Sequence, residues 1–140
     1  DTKIVFSTKL NAERFDANIE VILYRVACEL INNSLKHSQC KHIYIELRLE
    51  NDALHLDYRD DGRGFSPREV MECGMGLSNI KSRISSLNGT FKIDSRPGAG
   101  MTASAIVSIY SAIAHLSASD YQKLNDLEYD TKKGKNSSRR

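Results

Sequence analysis

Cysteine is scarce in this 140-residue chain, and its three cysteines do not form the close pairs that bind zinc or build disulfide frameworks. An odd count without a CxxC motif is typical of a protein from a reducing cytosol, where we expect this chain to reside. The four histidines lack the spacing of a metal motif, so metal bound by histidines is not expected. A GxxxxGK(S/T) phosphate-binding loop is also missing from the sequence, which excludes a P-loop nucleotide site.

Long apolar runs are missing as well. No stretch is long enough to cross a bilayer, and no signal peptide opens the chain. Because the chain starts at Asp1 rather than methionine, we expect a piece of a longer protein, in which any membrane segment would lie outside these residues. The net charge of +2 is too small to indicate a nucleic-acid partner. The basic excess lies in residues 132–140, where no aromatic residues interleave, so DNA binding is the weakest of the functional alternatives.

What the sequence does contain is a series of strand-like and helix-like segments. The patterns predict an edge strand over residues 3–7, a long helix over 17–37 and a hairpin of strands 42–49 and 54–58. A glycine-rich loop over 60–76 follows, then a second helix over 77–87 and a second hairpin of strands 90–95 and 102–109. This order favours one α+β domain over residues 1–110, a two-layer α/β sandwich with a mixed, largely antiparallel sheet and helices on one face. Residues 111–140 are predicted to be a tail that is partly helical or disordered.

The long helix changes from apolar to polar near its end. At 3.6 residues per turn, Ile22, Val26, Glu29, Asn33 and Lys36 share one stripe of the helix surface. The Asn33 amide oxygen could bind a hard cation, and the Lys36 ammonium could pair with a phosphate. Glu29 could orient water or accept a proton. Taken alone, these three residues are more often a solvated helix edge than a site.

Two glycine-rich segments follow. Asp60-Asp61-Gly62-Arg63-Gly64 comes directly after a strand, and its glycines let the backbone approach a ligand closely. The Asp60 carboxylate could accept a hydrogen bond from an exocyclic amine such as that of adenine. Gly74-Met75-Gly76-Leu77 precedes a helix, whose N-terminus suits a phosphate, and residues 65–73 between the two segments would form a mobile cover. Taken one at a time, each segment also has an ordinary explanation. The first can be an Asp-Gly turn, and the second can be a flexible connector that leads into a helix.

Together the motifs form a recognisable series. In order, the chain carries ExxxNxxKH at residues 29–37, DxGxG at 60–64, GxGL at 74–77 and GxG at 98–100. The series resembles the catalytic ATP-binding domain of sensor histidine kinases, within the gyrase–Hsp90–kinase–MutL ATPase superfamily, over residues 3–110. Three features are similar to the subfamily of nitrate and membrane-fluidity sensors. They are the short segment between Gly64 and Gly74, the stretch 23–30 and the stretch 79–83.

The resemblance implies a Bergerat-type nucleotide-binding fold that uses ATP and Mg²⁺. It matches Asn33 with the magnesium-binding asparagine and Glu29 with a glutamate credited in related ATPases with activating the nucleophile. Lys36 and His37 match a basic pair placed near the phosphates.

The remaining matches concern the nucleobase and the lid. Asp60 matches the aspartate that recognises the adenine amine, in a pocket that Gly62 and Gly64 would shape. The second glycine motif, Gly74-Met75-Gly76-Leu77, matches the lid residues next to the phosphates. The family's last GxG is usually followed by threonine. Here Met101 follows, and Thr102, one place later, is the candidate for that polar contact.

The resemblance also implies partners. The γ-phosphoryl group of ATP would pass to a histidine on a dimerisation domain and then to a response regulator. The chain has four histidines, His37, His42, His55 and His115, and none of them matches that acceptor. We therefore expect the acceptor outside this chain. Two alternatives stay open, an anti-sigma-factor-like serine kinase of the same superfamily and a degenerate module that only docks a partner.

Overall fold

The computed structural model of the protein describes residues 1–10, 14–66, 68–69 and 76–110. They form a five-stranded sheet with two helices packed on one face. In chain order the elements are β1 (Lys3–Lys9), α1 (Ala17–Asn33), a π turn (Ser34–Ser38), β2 (His42–Glu50), β3 (Ala53–Asp60), α2 (Leu77–Ser86), β4 (Thr90–Ser95) and β5 (Met101–Ser108). The predicted α+β sandwich is confirmed, with boundaries that differ by a few residues.

The sheet is mixed, with the strand order β1-β2-β3-β5-β4. β1 is an edge strand parallel to β2, and every other pair is antiparallel. The β2–β3 hairpin closes at Asn51 and Asp52, whose φ angles of 51° and 57° match the left-handed conformation that tight hairpin turns require. This pairing carries β3 to its last residue, Asp60, beside the start of β2.

One face of the sheet holds the core. α1 buries Ile19, Leu23, Val26 and Leu30, which are spaced three or four residues apart, and α2 buries Leu77, Ile80 and Ile84. Alternate residues of the three central strands point to these helices: Ile43, Ile45, Leu54, Leu56, Tyr58, Met101, Ala103, Ala105 and Val107. The opposite face is more polar, and there the Arg59 guanidinium carbon lies 4.6 Å from the centre of the Tyr44 ring.

The two ends of α1 have different local causes. At the start, the Asp16 side chain accepts a 2.8 Å hydrogen bond from the Asn18 N–H and caps the helix. At the end, α-helical geometry stops at Asn33, four residues before the predicted end, and the chain continues as the π turn. Gln39, in the left-handed conformation with φ of 53°, then turns the chain toward β2.

None of the helices among the described residues combines the length and apolar composition needed to cross a membrane. The predicted tail, residues 111–140, lies outside the described residues, as does most of the predicted cover between residues 65 and 73.

Two valines on α1 test the assignment of its buried face. Val26 is fully buried, whereas Val21 has 49% of its surface exposed. We expect Val26→Ala to lower the free energy of unfolding by about 2 kcal/mol, because it removes two buried carbon atoms and leaves a cavity. Val21→Ala should change it by less than about 0.5 kcal/mol. Urea denaturation of both variants measures the difference, and equal losses would contradict the packing described here.

Candidate functional site

A cavity opens where the end of α1 meets the end of β3. It is lined by residues from three separated segments: Asn33, Ser34, His37, Ser38, Asp60, Gly64, Phe65 and Met101. The structure therefore brings together residues from the first two predicted motifs, with Asn33 and His37 on one side and Asp60 and Gly64 on the other. Lys36 lies on the same turn of helix as His37, but it is exposed to solvent.

The π turn shapes one wall of this cavity. A π turn carries more residues per turn than an α-helix, and such turns occur frequently at functional sites. Here Ser34 and Ser38 are both buried, and the Ser38 hydroxyl donates a 2.8 Å hydrogen bond to the Ser34 carbonyl oxygen. The Ser38 hydroxyl in turn accepts a 3.2 Å hydrogen bond from the Cys40 N–H, which fixes the exit from the turn.

Asp60 is the buried acid of the site, with only 3% of its surface exposed. Its Oδ1 accepts a 2.9 Å hydrogen bond from the Gly62 N–H. Its Oδ2 accepts a 2.6 Å hydrogen bond from the Ser34 hydroxyl. A buried carboxylate is tolerated only when its oxygens are satisfied in this way.

A tyrosine extends this network beyond the predicted residues. The Tyr58 hydroxyl lies 2.5 Å from the Ser34 Oγ and 3.0 Å from the Leu30 carbonyl oxygen, and burial raises the pKa of Tyr58. Sequence reasoning missed both Ser34 and Tyr58. A signal was present, since Ser34 continues the buried spacing of α1 four residues after Leu30, and Tyr58 shares the buried face of β3 with Asp60.

Hydrogen bonds between backbone groups, and between side chains and the backbone, hold the DxGxG loop in place. The Arg63 N–H donates to the Ser38 carbonyl oxygen at 2.8 Å, and the Arg63 Nε donates to the His37 carbonyl oxygen at 2.6 Å. On the other side, the Arg63 carbonyl oxygen accepts from the Gly98 N–H in the β4–β5 turn. The Ser95 hydroxyl completes the link, since it accepts from the Phe65 N–H and donates to the Gly100 carbonyl oxygen. Neither Arg63 nor Ser95 was predicted as a site residue.

The neighbouring acid, Asp61, points outward and anchors the loop to β2. Its Oδ1 accepts hydrogen bonds from the Lys41 and His42 N–H groups at 2.8 and 2.9 Å. Its Oδ2 lies 2.7 Å from the His42 Nδ1. These hydrogen bonds, first among them the one from the His42 backbone, lower the pKa of Asp61 to about 2. Two adjacent aspartates thus have different roles, one inside the cavity and one in the attachment of its loop.

Glu29 meets the second glycine motif. Gly76, with φ of 68°, is the N-cap residue of α2, and a Cβ atom there would collide with the Glu29 carboxylate. Glycine at this position therefore lets α1 and α2 approach closely. Glu29 also lines a shallow groove on the surface with residues that include Arg25 and Arg83.

The other predicted members of the second motif are placed differently. Leu77 is buried in the hydrophobic core as the first residue of α2, so it supports the helix rather than lining the cavity. Gly74 lies outside the described residues. Gly62 lies beside the π turn, where a Cβ atom would come within 2.6 Å of the Ser38 side chain.

The placement of Thr102 corrects one prediction. Met101 pairs with Asp60 across β5 and β3, is buried, and lines the cavity. Thr102 points to the opposite face of the sheet, where it lies in a row with Arg59 and Asp94. One step along a strand reverses the direction of the side chain. Thr102 therefore does not belong to the cavity, and Met101 occupies the place that the prediction gave to a polar contact.

Two glycines with positive φ angles test how tightly the loop is packed. A Cβ atom at Gly64 (φ 65°) would collide with the Arg96 carbonyl oxygen and lie 2.9 Å from that of Gly100, whereas one at Gly98 (φ 81°) would meet nothing within 4 Å. Gly98→Ala should therefore cost only the conformational strain, about 1–2 kcal/mol. Gly64→Ala should lower the free energy of unfolding by clearly more, since the clash adds to the same strain. Urea denaturation measures both, and equal costs would argue against this packing of the loop.

Comparison with known proteins identifies the family. The model of the histidine kinase-, DNA gyrase B- and HSP90-like ATPases matches residues 18–110. The chain is 36% identical over 107 residues to the sensor histidine kinase ComP of Bacillus subtilis, a match that covers 72% of this chain and 14% of that protein. It is also 36% identical over 91 residues to the histidine-protein kinase/phosphatase DegS of the same organism, covering 63% of this chain and 24% of DegS.

A solved structure supports the fold. The histidine kinase domain of a blue-light activated histidine kinase from Erythrobacter litoralis superposes with a TM-score of 0.60 at 16% identity, covering 76% of this chain and 52% of that one. The narrower resemblance to nitrate and fluidity sensors stays a prediction. With the match over residues 18–110, these similarities show that the chain belongs to the histidine kinase-, DNA gyrase B- and HSP90-like ATPase family.

Proposed function

We propose that this chain is the Mg–ATP-binding catalytic domain of a sensor histidine kinase. In this proposal it donates the γ-phosphoryl group to a histidine on a dimerisation domain outside the chain, for relay to a response regulator. The observation that carries the proposal is the cavity in which the buried carboxylate of Asp60 faces the end of α1 with Asn33 and His37.

The chemistry of the residues that line the cavity suits a purine. Phe65 and Met101 supply apolar surface for a flat ring, and the Asp60 carboxylate supplies hydrogen-bond acceptors. Each oxygen of Asp60 already accepts one hydrogen bond from the protein. A carboxylate oxygen can accept about two, so Asp60 keeps the capacity to accept one from an exocyclic amine.

Residues at the end of α1 and at the start of α2 suit phosphates and a hard cation. Amide oxygens such as that of Asn33 are common Mg²⁺ ligands, and Mg²⁺ in nucleotide sites takes few protein ligands because phosphates and water supply the others. Lys36 and His37 would lie next to the phosphates. Among the described residues, no side chain caps the N-terminus of α2 at Gly76, so its first N–H groups suit an anion.

The chemistry needs little beyond positioning. Bound Mg–ATP would supply the phosphoryl group and the cation that offsets its negative charge. The protein would fix the base through Asp60, hold the cation through Asn33 and exclude alternative orientations through the packed loop. Glu29, held between α1 and Gly76, is our candidate to orient the acceptor imidazole or accept its proton.

The partners follow from the relatives and remain proposals. The chain spans 14% and 24% of the length of ComP and DegS, whose names describe a sensor histidine kinase and a kinase/phosphatase. We infer that the dimerisation domain and the sensor belong to the rest of the parent protein, which is bound to a membrane with this domain on its cytoplasmic side. No direct nucleic-acid partner is proposed.

Substitutions at two adjacent asparagines test the proposed metal site. Asn33 lines the cavity, whereas its neighbour Asn32 is exposed on another side of α1. Asn33→Ala should weaken Mg²⁺-dependent ATP binding by at least about tenfold, since it removes a metal ligand. Asn32→Ala, the matched control, should leave it unchanged. Calorimetric titration with and without EDTA measures both, and unchanged affinity in Asn33→Ala would refute this role.

The acceptor distinguishes a histidine kinase from a serine kinase of the same superfamily. With radiolabelled ATP and the dimerisation segment of the parent protein, we expect the label on a histidine, in a phosphoamidate that is lost in acid and stable in base. Label that survives acid on a serine of a partner protein would support the anti-sigma-factor-like alternative. ATP binding without any transfer, with all partners present, would favour the docking module.

A further inference from the structure

We propose that Ser34 and Tyr58 set the nucleobase selectivity of the site, as two hydroxyls in series that hold Asp60 as a hydrogen-bond acceptor for a 6-aminopurine rather than a 6-oxopurine. Both are positioning residues, because they act on the base through the Asp60 carboxylate. The inference rests on the proposed nucleotide-binding function. It adds two residues that would control base selectivity and that were not predicted as site residues from the sequence motifs.

The three side chains form a continuous buried chain. Tyr58, Ser34 and Asp60 are 3%, 2% and 3% exposed, so water does not compete for their hydrogen bonds. The Tyr58 hydroxyl lies 2.5 Å from the Ser34 Oγ, and the Ser34 Oγ lies 2.6 Å from the Asp60 Oδ2. Both distances join hydroxyl groups to oxygen acceptors within hydrogen-bonding range.

Counting protons gives the direction of the chain. Ser34 has one hydroxyl proton, and an ionised carboxylate has none, so Ser34 donates to Asp60. The 2.5 Å contact on the other side of Ser34 then requires the proton of Tyr58. The Tyr58 hydroxyl is also within donating distance of the Leu30 carbonyl oxygen, but at 3.0 Å that contact is the longer of the two, so we assign the proton to the contact with Ser34. Burial raises the pKa of Tyr58, so its hydroxyl keeps this proton.

This arrangement leaves Asp60 as an acceptor with a fixed orientation. Ser34 holds one carboxylate oxygen and the Gly62 N–H holds the other, so the plane of the carboxylate cannot rotate freely. The protons of both hydroxyls are used within the chain. An amine at position 6 of a purine can donate to the remaining lone pairs, whereas an oxo group would face them with its own lone pairs and be repelled.

Removing a hydroxyl should therefore change selectivity more than general affinity. Without the Ser34 hydroxyl, Oδ2 loses its buried partner and the carboxylate can turn away from the base. Without the Tyr58 hydroxyl, the Ser34 Oγ loses its donor and becomes a weaker support for Asp60. Neither change removes a residue proposed to contact the phosphates or the cation.

The test compares three nucleotides on the full 140-residue chain. The probes are ATP, purine riboside 5′-triphosphate, which lacks the amine, and inosine 5′-triphosphate, which carries an oxo group, all titrated calorimetrically with excess Mg²⁺. Ser34→Ala should reduce the preference for ATP over the probe without the amine by roughly tenfold, the loss of one hydrogen bond to a charged group. Tyr58→Phe should reduce it less. The double variant should lose less than the product of the two effects, because both act through one chain.

Controls separate this role from a loss of folding. Ser104→Ala removes a hydroxyl on the opposite face of the sheet and should keep the wild-type preference. Urea denaturation reports whether each variant is folded. Ser34→Cys keeps a side chain of similar size with a weak donor, so an intermediate preference is expected, and it replaces Ser34→Ala if that variant does not fold.

The outcomes distinguish this inference from the proposed function. If the wild-type chain binds Mg–ATP in an Asn33-dependent way but folded Ser34 and Tyr58 variants keep its base preference, only the selectivity role is overturned. If the wild-type chain does not bind Mg–ATP, the proposed function and this inference both fail. A reduced preference in the Ser34 and Tyr58 variants, with Ser104→Ala unchanged, supports the role.

Discussion

The structure of the site depends on the burial of one carboxylate. Asp60 is 3% exposed at the end of a central strand, where an unsatisfied charge would cost several kcal/mol. The Gly62 N–H and the Ser34 hydroxyl each satisfy one of its oxygens. Ser34 reaches it because this serine continues the buried spacing of α1, four residues after Leu30. The geometry of the loop, the turn and the helix end is thus constrained by the same acid.

Backbone hydrogen bonds then transmit this constraint to the rest of the cavity. Arg63 joins the DxGxG loop to the π turn on one side and to the β4–β5 turn on the other, while Ser95 joins Phe65 to Gly100. Hydrogen bonds within the protein therefore fix three segments that are far apart in sequence relative to one another. A site held in this way loses little conformational entropy when it binds, which favours affinity and selectivity together.

The limits of sequence-based prediction lie at the level of single residues. Strand alternation, the Asn51-Asp52 turn and the spacing of apolar residues in α1 predicted the sheet and its helices, because these patterns are local. The π turn was not predicted, since it depends on hydrogen bonds that Ser38 makes with residues of the turn and the following segment. Thr102 was predicted on the wrong face of the sheet. The GxG motif locates the start of β5 in the sequence, but it does not give the register of β5, which decides the face that each side chain takes. The Ser34–Tyr58 contact joins the end of α1 to β3, and no sequence motif spans these two elements, so the contact could not be predicted.

The two ends of the site differ in physical character. At the end proposed to bind the base, Asp60 is buried and both of its carboxylate oxygens accept hydrogen bonds from the protein. At the end proposed to bind phosphates, Lys36 is exposed, and within the described residues the N-terminus of α2 has no side-chain cap. Uncapped N–H groups and an ammonium group both interact favourably with a multiply charged anion. Glu29 lies between these two ends, against the backbone of Gly76 at the start of α2. A movement of Gly76 on phosphate binding would therefore act directly on the Glu29 carboxylate, which we propose orients the acceptor histidine. In the proposed function, the end with Asp60 would therefore provide recognition, and the end with Lys36 would provide the response to the bound charge.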